Sequence, residues 1–267
     1  MMRSILARGI LVLALLLPVY FAGAALGARF GVIDWRLGLG TLIVEWGPKL
    51  LIGVLVLAIA ILVATLVKAP RRGWRSALIA VLIPALGLGY LAWARDQSAD
   101  IPPIHDVSTR PDDPPLFSPT LLAQRAESPD TNPVVSLTVP VSTLKKYQGP
   151  RFAELGDRTL GQIGAEAYPS VRPLTTIAKP AVAFAAVLEE ARAQGWAIVT
   201  EDTGARTLNA TATTFWFGFK DDVAVRVRAE GTGSVIDVRS TSRVGLGDLG
   251  ANAARIEAYL AGVEKRL

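Results

Sequence analysis

Three stretches of this chain carry no charged side chain: Gly9 to Ala28, Leu50 to Val67 and Ser76 to Ala94. Each is long enough to cross a hydrocarbon layer of roughly 30 Å at about 1.5 Å per helical residue. Lipid offers no hydrogen-bond partners to an open backbone, so these runs must be helical, despite Pro18 and Pro84 in their interiors. A hydrophobic fraction of 51% over 267 residues and a mean hydropathy of +0.38 agree with a chain partly embedded in lipid.

Charge sets the expected orientation. Residues 1–94 hold nine basic and two acidic side chains, whereas residues 95–267 hold nineteen and twenty-one. The high overall pI is therefore a property of the membrane half and no sign of a nucleic-acid partner. Lys68, Arg71, Arg72 and Arg75 lie between the second and third runs with no acid among them, the mark of a cytoplasmic loop. Arg3 and Arg8 place the N-terminus on the same side. Three crossings then deliver residue 95 onward to the far face. The competing interpretation takes residues 1 to about 28 as a cleaved signal peptide, with a basic start, an apolar Ile10–Leu17 and a small-residue tail at Ala22–Ala25. Both export the C-terminal portion.

In the connection 29–49, Trp35, Leu39, Leu42, Ile43 and Trp46 recur at helical spacing, as in an interfacial helix; an irregular loop with incidental tryptophans is the alternative. Gly23 and Gly27 have a spacing that permits close helix approach. The spans contain no ionisable residue of the kind ion and proton pathways use, so the helices are expected to be an anchor and oligomerisation surface rather than a transporter.

Ten of the seventeen prolines fall between residues 95 and 150, which reads as an extended linker over 96–150, with one short strand at Val135–Val139. The exported domain is then 151–267 and the anchor 1–95. Pro180 to Gly195 predicts an amphipathic helix closed by glycine. Trp196–Thr200, Thr207–Phe217, Val223–Ala229 and Val235–Ser240 predict a four-stranded antiparallel meander. Leu249, Ala253, Ile256, Leu260, Val263 and Leu267 predict a closing helix, with Asp248 as N-cap.

A Gly231-Thr232 turn sets Val227 opposite Ile236, Val225 opposite Val238 and Arg226 opposite Asp237. Continuing the sheet pairs Trp216 with Val223 and Ala212 with Val227. Leu208, Ala210, Ala212, Trp216, Val223, Val225, Val227, Ile236 and Val238 then share a face that helices can cover. The other face shows Asn209, Thr211, Thr213, Phe215, Arg226, Arg228, Asp237 and Arg239, and a one-residue slip would bury the arginines. The expected class is α+β: a bundle of three transmembrane helices plus a small domain with a four-stranded meander flanked by helices on one face.

Four strings carry a family likeness: Ile101 to Pro115, Tyr168-Pro169, Phe217 to Val223, and Ile236 to Gly245 followed by Gly247 to Asn252. Over about residues 100–267 the chain resembles the domain of unknown function 1499 family, with the motifs in the same order. Ser128–Gln148 is longer than the family pattern. The resemblance implies a bacterial setting for most members, with relatives in photosynthetic lineages, and transfers no activity. With the charge argument it implies a multi-pass inner-membrane protein with a periplasmic domain.

With no cysteine, disulfides, thiolate metal sites and cysteine nucleophiles are excluded. His105, the only histidine, has Asp106, Asp112 and Asp113 nearby, but one imidazole on a proline-rich strand is a weak ligand set, and a hydrogen-bonded structural histidine is preferred. Ser240 and Ser242 lie in no nucleophile elbow, and nothing in the sequence brings His105 to them. No cofactor, metal or catalytic residue is assigned.

The stretch Arg239–Asn252 concentrates the remaining signal, with Arg239, Ser242, Arg243, Asp248 and Asn252 as candidate ligand-binding residues. Glycines before a helix N-terminus offer free amides, and the arginines add fixed cations. Against this, Asp248 would occupy the same amides, and the arginines could simply bridge Asp221, Asp222, Asp237 and Asp248. The expectation is a membrane-tethered domain that binds a protein, lipid or envelope component through the polar sheet face and this loop. The alternative is a hydrolase or other enzyme built on Asp222, Arg239, Ser242 and Asp248.

Overall fold

A computed structural model of the chain describes residues 2–67, 69–128 and 130–267. Lys68 of the cation cluster and Pro129 of the long proline-rich stretch lie outside the described residues, as does Met1. The chain divides into two compact units, Met1–Asp100 with Phe215–Gly218, and Ile101–Thr214 with Phe219–Leu267.

The first unit holds α1 (Met2–Arg29), a π-helical segment (Arg36–Trp46) that runs straight into α2 (Gly47–Leu66), and α3 (Trp74–Gln97). All three long helices are apolar enough to cross a membrane. Their interfaces combine small residues with large apolar ones. Ala7, Ala14, Ala58, Ala77 and Ala80 are fully buried between helices, while Val12, Leu16, Val56 and Leu86 point outward. Small residues let backbones approach, Ile10, Leu17, Leu51 and Val54 fill the spaces between them, and the outward apolar side chains suit a lipid surrounding. Gly87, for example, leaves room for Leu51, which an added Cβ would meet at 2.9 Å.

Two expectations change here. The connection after α1 is neither a separate interfacial helix nor an irregular loop, because Arg36–Trp46 is continuous with α2. Gly23 faces open space and Gly27 meets Ile33, so this pair joins no helices within the chain.

The second unit is an α+β domain: β1 (Asp106–Ser108), α4 (Pro119–Ala126), α5 (Leu160–Ala167), β2 (Leu174–Thr176), α6 (Pro180–Ala193), β3 (Ala197–Asp202), β4 (Thr207–Thr213), β5 (Lys220–Glu230), β6 (Gly233–Ser242) and α7 (Ala251–Glu264). The meander β3–β6 is antiparallel, as the alternation requires, and the short strands β1 and β2 both pair with the free edge of β6. The sheet therefore has six strands, and β6 is buried along its whole length.

The hairpin β5–β6 has the predicted register, with Val227 opposite Ile236 and Arg226 opposite Asp237, turning at Gly231 with φ +57°. The β4–β5 pairing differs: Ala210 lies opposite Val223 and Thr207 opposite Arg226. This offset from the expected pairing is an even number of residues, so the pleat keeps every β4 side chain on its expected face. What changes is the connection. β4 stops at Thr213, and Phe215 and Trp216 lie in a loop instead of in the strand, with Trp216 exposed rather than in the core. The hydrogen bond from Thr214 N to Phe219 O closes that loop.

Leu208, Ala210, Val223, Val225, Val227, Ile236 and Val238 form the core with Phe184, Val187 and Ala191 of α6 and Ala253, Ile256 and Val263 of α7. Trp196 stacks on Tyr259 at 4.5 Å, and the Tyr259 hydroxyl donates to Val187 O at 2.7 Å, tying α7 to α6. Helices are not confined to this face. Phe117 and Leu121, at and before α4, pack on Ala224, whose side chain points the other way.

The residues expected as linker supply that cover. Ile104, Val107, Leu137, Val141 and Tyr147 are all buried in the main core. Proline excluded regular helix from most of this stretch but not packing, and Val135–Val139 forms no strand. Pro119 itself starts α4 as a first-turn residue, with Ser118 as N-cap accepting from Leu121 N.

Candidate functional site

The five candidate residues come from one short stretch, but the pleat of β6 and its exit loop divide them between two environments. Arg239 and Arg243 project to the α4 face; Ser242 and Asn252 meet on the α7 face, and Asp248 lies in the loop between them.

On the α4 face, Arg239 is 3% exposed and forms a bidentate pair with Asp106, Nε to Oδ1 at 3.0 Å and Nη2 to Oδ2 at 2.8 Å. It also donates to Val135 O and lies 5.2 Å from the Phe117 ring. Arg243 forks onto Asp222, with Nε and Nη2 each at 2.8 Å from a carboxylate oxygen. Asp222 is fully buried and also accepts from Arg125 and from Thr211 Oγ1. Asp237, likewise fully buried, accepts from Arg110, Arg226 and Arg228. The polar sheet face expected as a contact surface is thus an interior layer of matched charges. A buried carboxylate at Asp222 left without its arginines would be costly to the fold.

On the α7 face, Asn252 is fully buried and central. Its Nδ2 donates to His105 O at 3.0 Å and to Ser242 Oγ at 2.9 Å, and its Oδ1 accepts from Ser240 Oγ at 2.7 Å. Arg255, one turn along α7, joins the same oxygen and pairs with Asp221. Asp248 does bind the start of α7, but from two residues further out than a normal cap, since Gly250 occupies the N-cap position. Its carboxylate accepts from Gly250 N and Asn252 N at 2.9 Å each and its carbonyl from Ala251 N, so the first amides of the helix start are taken. Burial raises the Asp248 pKa above the usual carboxylate value, against the pull of those amides.

The structure does bring His105 to Ser242, a proximity that nothing in the sequence indicated. Strand β1 runs beside β6, and Ser242 N donates to His105 O at 2.8 Å. The contact is through the backbone. The imidazole turns away, its Nδ1 donating to Leu246 O at 3.1 Å, while Ser242 Oγ faces Asn252. Burial lowers the His105 pKa, with the Asp106 charge opposing it. Among the described residues no group of three or more His, Asp or Glu side chains has metal-holding geometry.

Beside His105 lies a cavity of about 100 Å³ lined by Val135, Leu144, Lys146, Tyr147 and Leu160. Lys146 Nζ reaches Gly245 O at 3.3 Å, and burial lowers its pKa. Burial pushes the Tyr147 hydroxyl up to about 12, and that hydroxyl donates to Pro103 O.

Sequence reasoning missed Arg125, Asn132 and Arg255, and weighed Asp106 only as a neighbour of His105 and not as the partner of Arg239. Arg255 was findable, one turn after Asn252 on the same helix face. The other three lie in the proline-rich stretch, where no periodicity marks a buried position.

The loop Val244–Gly250 is held at several points. Asn132 Nδ2 donates to Gly245 O at 2.8 Å, His105 to Leu246 O, and Asp248 N to Ile104 O at 3.1 Å. From this frame Leu249 projects, 71% exposed and with φ +55°, in the left-handed region that a branched side chain rarely adopts.

Three membrane-length helices and an α+β domain with internally paired charges make this a membrane protein with a folded polar domain. Residues 106–263 match the family model described as Protein of unknown function (DUF1499), and the chain belongs to that family. No curated protein matches the chain.

Proposed function

We propose that this is a multi-pass anchor of the bacterial inner membrane whose periplasmic domain binds a lipid, protein or other envelope component, with the loop Val244–Gly250 as the contact. The observation that carries the reading is Leu249. A large apolar side chain is displayed to solvent in a backbone conformation costing about 1–3 kcal/mol, on a loop pinned through Gly245 O, Leu246 O and Asp248 N. Among the described residues that side chain joins no buried core cluster, and an exposed apolar residue on a pinned loop suits recognition. Of the five sequence candidates, Arg239, Ser242, Arg243 and Asn252 are engaged in the buried networks of the domain, and Asp248 sets the exit of the loop into α7.

The proposed orientation rests on the cations between α2 and α3 and on the odd number of spans. Packing of Ile10, Ala14 and Leu17 of α1 against α2 and α3 favours retention of α1 over its cleavage.

A photo-crosslinking residue at position 249 should yield a discrete adduct in cells, and Leu249→Gly should remove binding of the component so identified. The same substitution relieves the positive-φ strain, so the variant should melt at or above the wild-type temperature. A variant that is more stable and still binds would sink the proposal.

A further inference from the structure

The end of the sheet at which the polypeptide enters the domain also carries its most exposed aromatic residues. Strand β1 begins at Asp106, opposite Thr241, and Ile104 O accepts from Asp248 N, so the entering chain lies at the C-terminal end of β6. The β4–β5 loop leaves the sheet at that same end, where Arg243 N donates to Lys220 O and Asp221 faces Ser242. The β5–β6 turn at Gly231 lies at the opposite end, an eleven-residue strand away, about 35 Å at roughly 3.3 Å per residue.

Within the loop, Phe215 is 69% and Trp216 55% exposed. Their rings meet edge to face at 5.2 Å, and Thr214 closes the base through N to Phe219 O at 2.8 Å and Oγ1 from Phe219 N at 2.9 Å. Gly218 makes the return at φ +67°. The base of the loop is therefore held by its own hydrogen bonds, and exposed Lys220 stands at its foot. Only six residues separate Gln97, the end of α3, from Ile104, which is already fully buried in the domain core. Six residues reach about 20 Å when fully extended.

We infer that the Phe215–Trp216 loop is a second membrane contact, seated in the headgroup region of the bilayer that α1–α3 occupy, with Lys220 against anionic headgroups. Phenylalanine and tryptophan rings favour that depth, and a lysine nearby adds attraction to an anionic surface. The lipid is the favoured occupant because every copy of the chain carries the bilayer within one short tether of this end, at an effective concentration no free partner matches. The inference needs only the membrane-spanning helices and stands apart from the role given to Leu249.

The test uses the absence of cysteine, which lets a single introduced thiol take an environment-sensitive fluorophore. Full-length Trp216→Cys, Phe215→Cys and Glu230→Cys are labelled and reconstituted in nanodiscs of phosphatidylcholine and phosphatidylglycerol, with and without nitroxide-bearing lipid. The expected result is blue-shifted emission and loss of intensity to the nitroxide at 216 and 215, with water-like emission and no quenching at 230. Water-like emission at both loop positions overturns the inference. So does emission that is shielded but insensitive to the nitroxide, which would mark a protein contact instead. Equal quenching at 230 would show a domain lying flat, and overturns it too.

Discussion

Asp222 shows how the α4 face is held. It is a fully buried carboxylate shared by Arg125 and Arg243, with Thr211 taking the remaining lone pair. Arg243→Ala leaves Arg125 to balance the charge. Asp222→Ala leaves two cations facing each other with little water. Removing one partner of a buried pair costs about 3–5 kcal/mol, so Asp222→Ala should be the more damaging of the two, and Arg243→Ala should still insert in the membrane. Chemical denaturation in detergent with a fractionation control tests this ranking; equal stability losses would refute it. His105 offers a pH test. Its folded pKa lies below the ordinary 6.5, so below pH 6.5 the unfolded chain takes up a proton that the folded one resists. The stability this supplies is present above pH 6.5 and declines as pH falls from there to the folded pKa. Asp248, raised above 3.8, acts in the opposite sense, favouring the fold at lower pH until its unfolded value is passed. As the only histidine in the chain, His105 can be titrated alone by nitrogen NMR, and should be a neutral Nδ1–H tautomer at pH 7. A midpoint above 6.5 would contradict this.

At the scale of an element, α5 separates propensity from packing. Gly161 and Gly164 both lie in this eight-residue helix, started by a capping box between Thr159 and Gln162. Alanine is favoured over glycine in a helix by roughly 1 kcal/mol. At 164 the added methyl would sit 3.5 Å from Ile104 Cδ1, an ordinary contact, so Gly164→Ala should stabilise. At 161 it would meet Pro111 Cβ at 2.6 Å and Leu137 O at 3.1 Å, so Gly161→Ala should destabilise despite the same propensity gain. Opposite signs in thermal melts are the expected outcome. Pro111 and Leu137 belong to the stretch whose proline content suggested a linker. Proline density reports what the backbone cannot do and says nothing about whether the side chains are buried, so the covering layer could not be read from it.

For the whole molecule, the expected arrangement is a C-terminus across the membrane from the α2–α3 loop. A reporter fused after Leu267 should be active only when exported, and a thiol placed at Arg72 should be protected from an impermeant reagent in intact cells. An active cytoplasmic reporter would reverse the scheme.

The amino-acid order alone determined the three spans, the meander, the β5–β6 register and the two helices over its apolar face. Each depends on a local period: continuous apolarity over a bilayer thickness, alternation along a strand, or a three-four stripe along a helix. It also carried the family motifs. Tertiary structure decided what has no period. It set where β4 ends, and so that Trp216 leaves the core, because an even shift in register keeps every face and only long-range packing selects among such shifts. It brought Asp106, Arg125 and Asn132 to partners on β5 and β6, because partners distant in sequence leave no local trace. It also divided the candidate site, since residues adjacent along a strand point to opposite sides of the sheet.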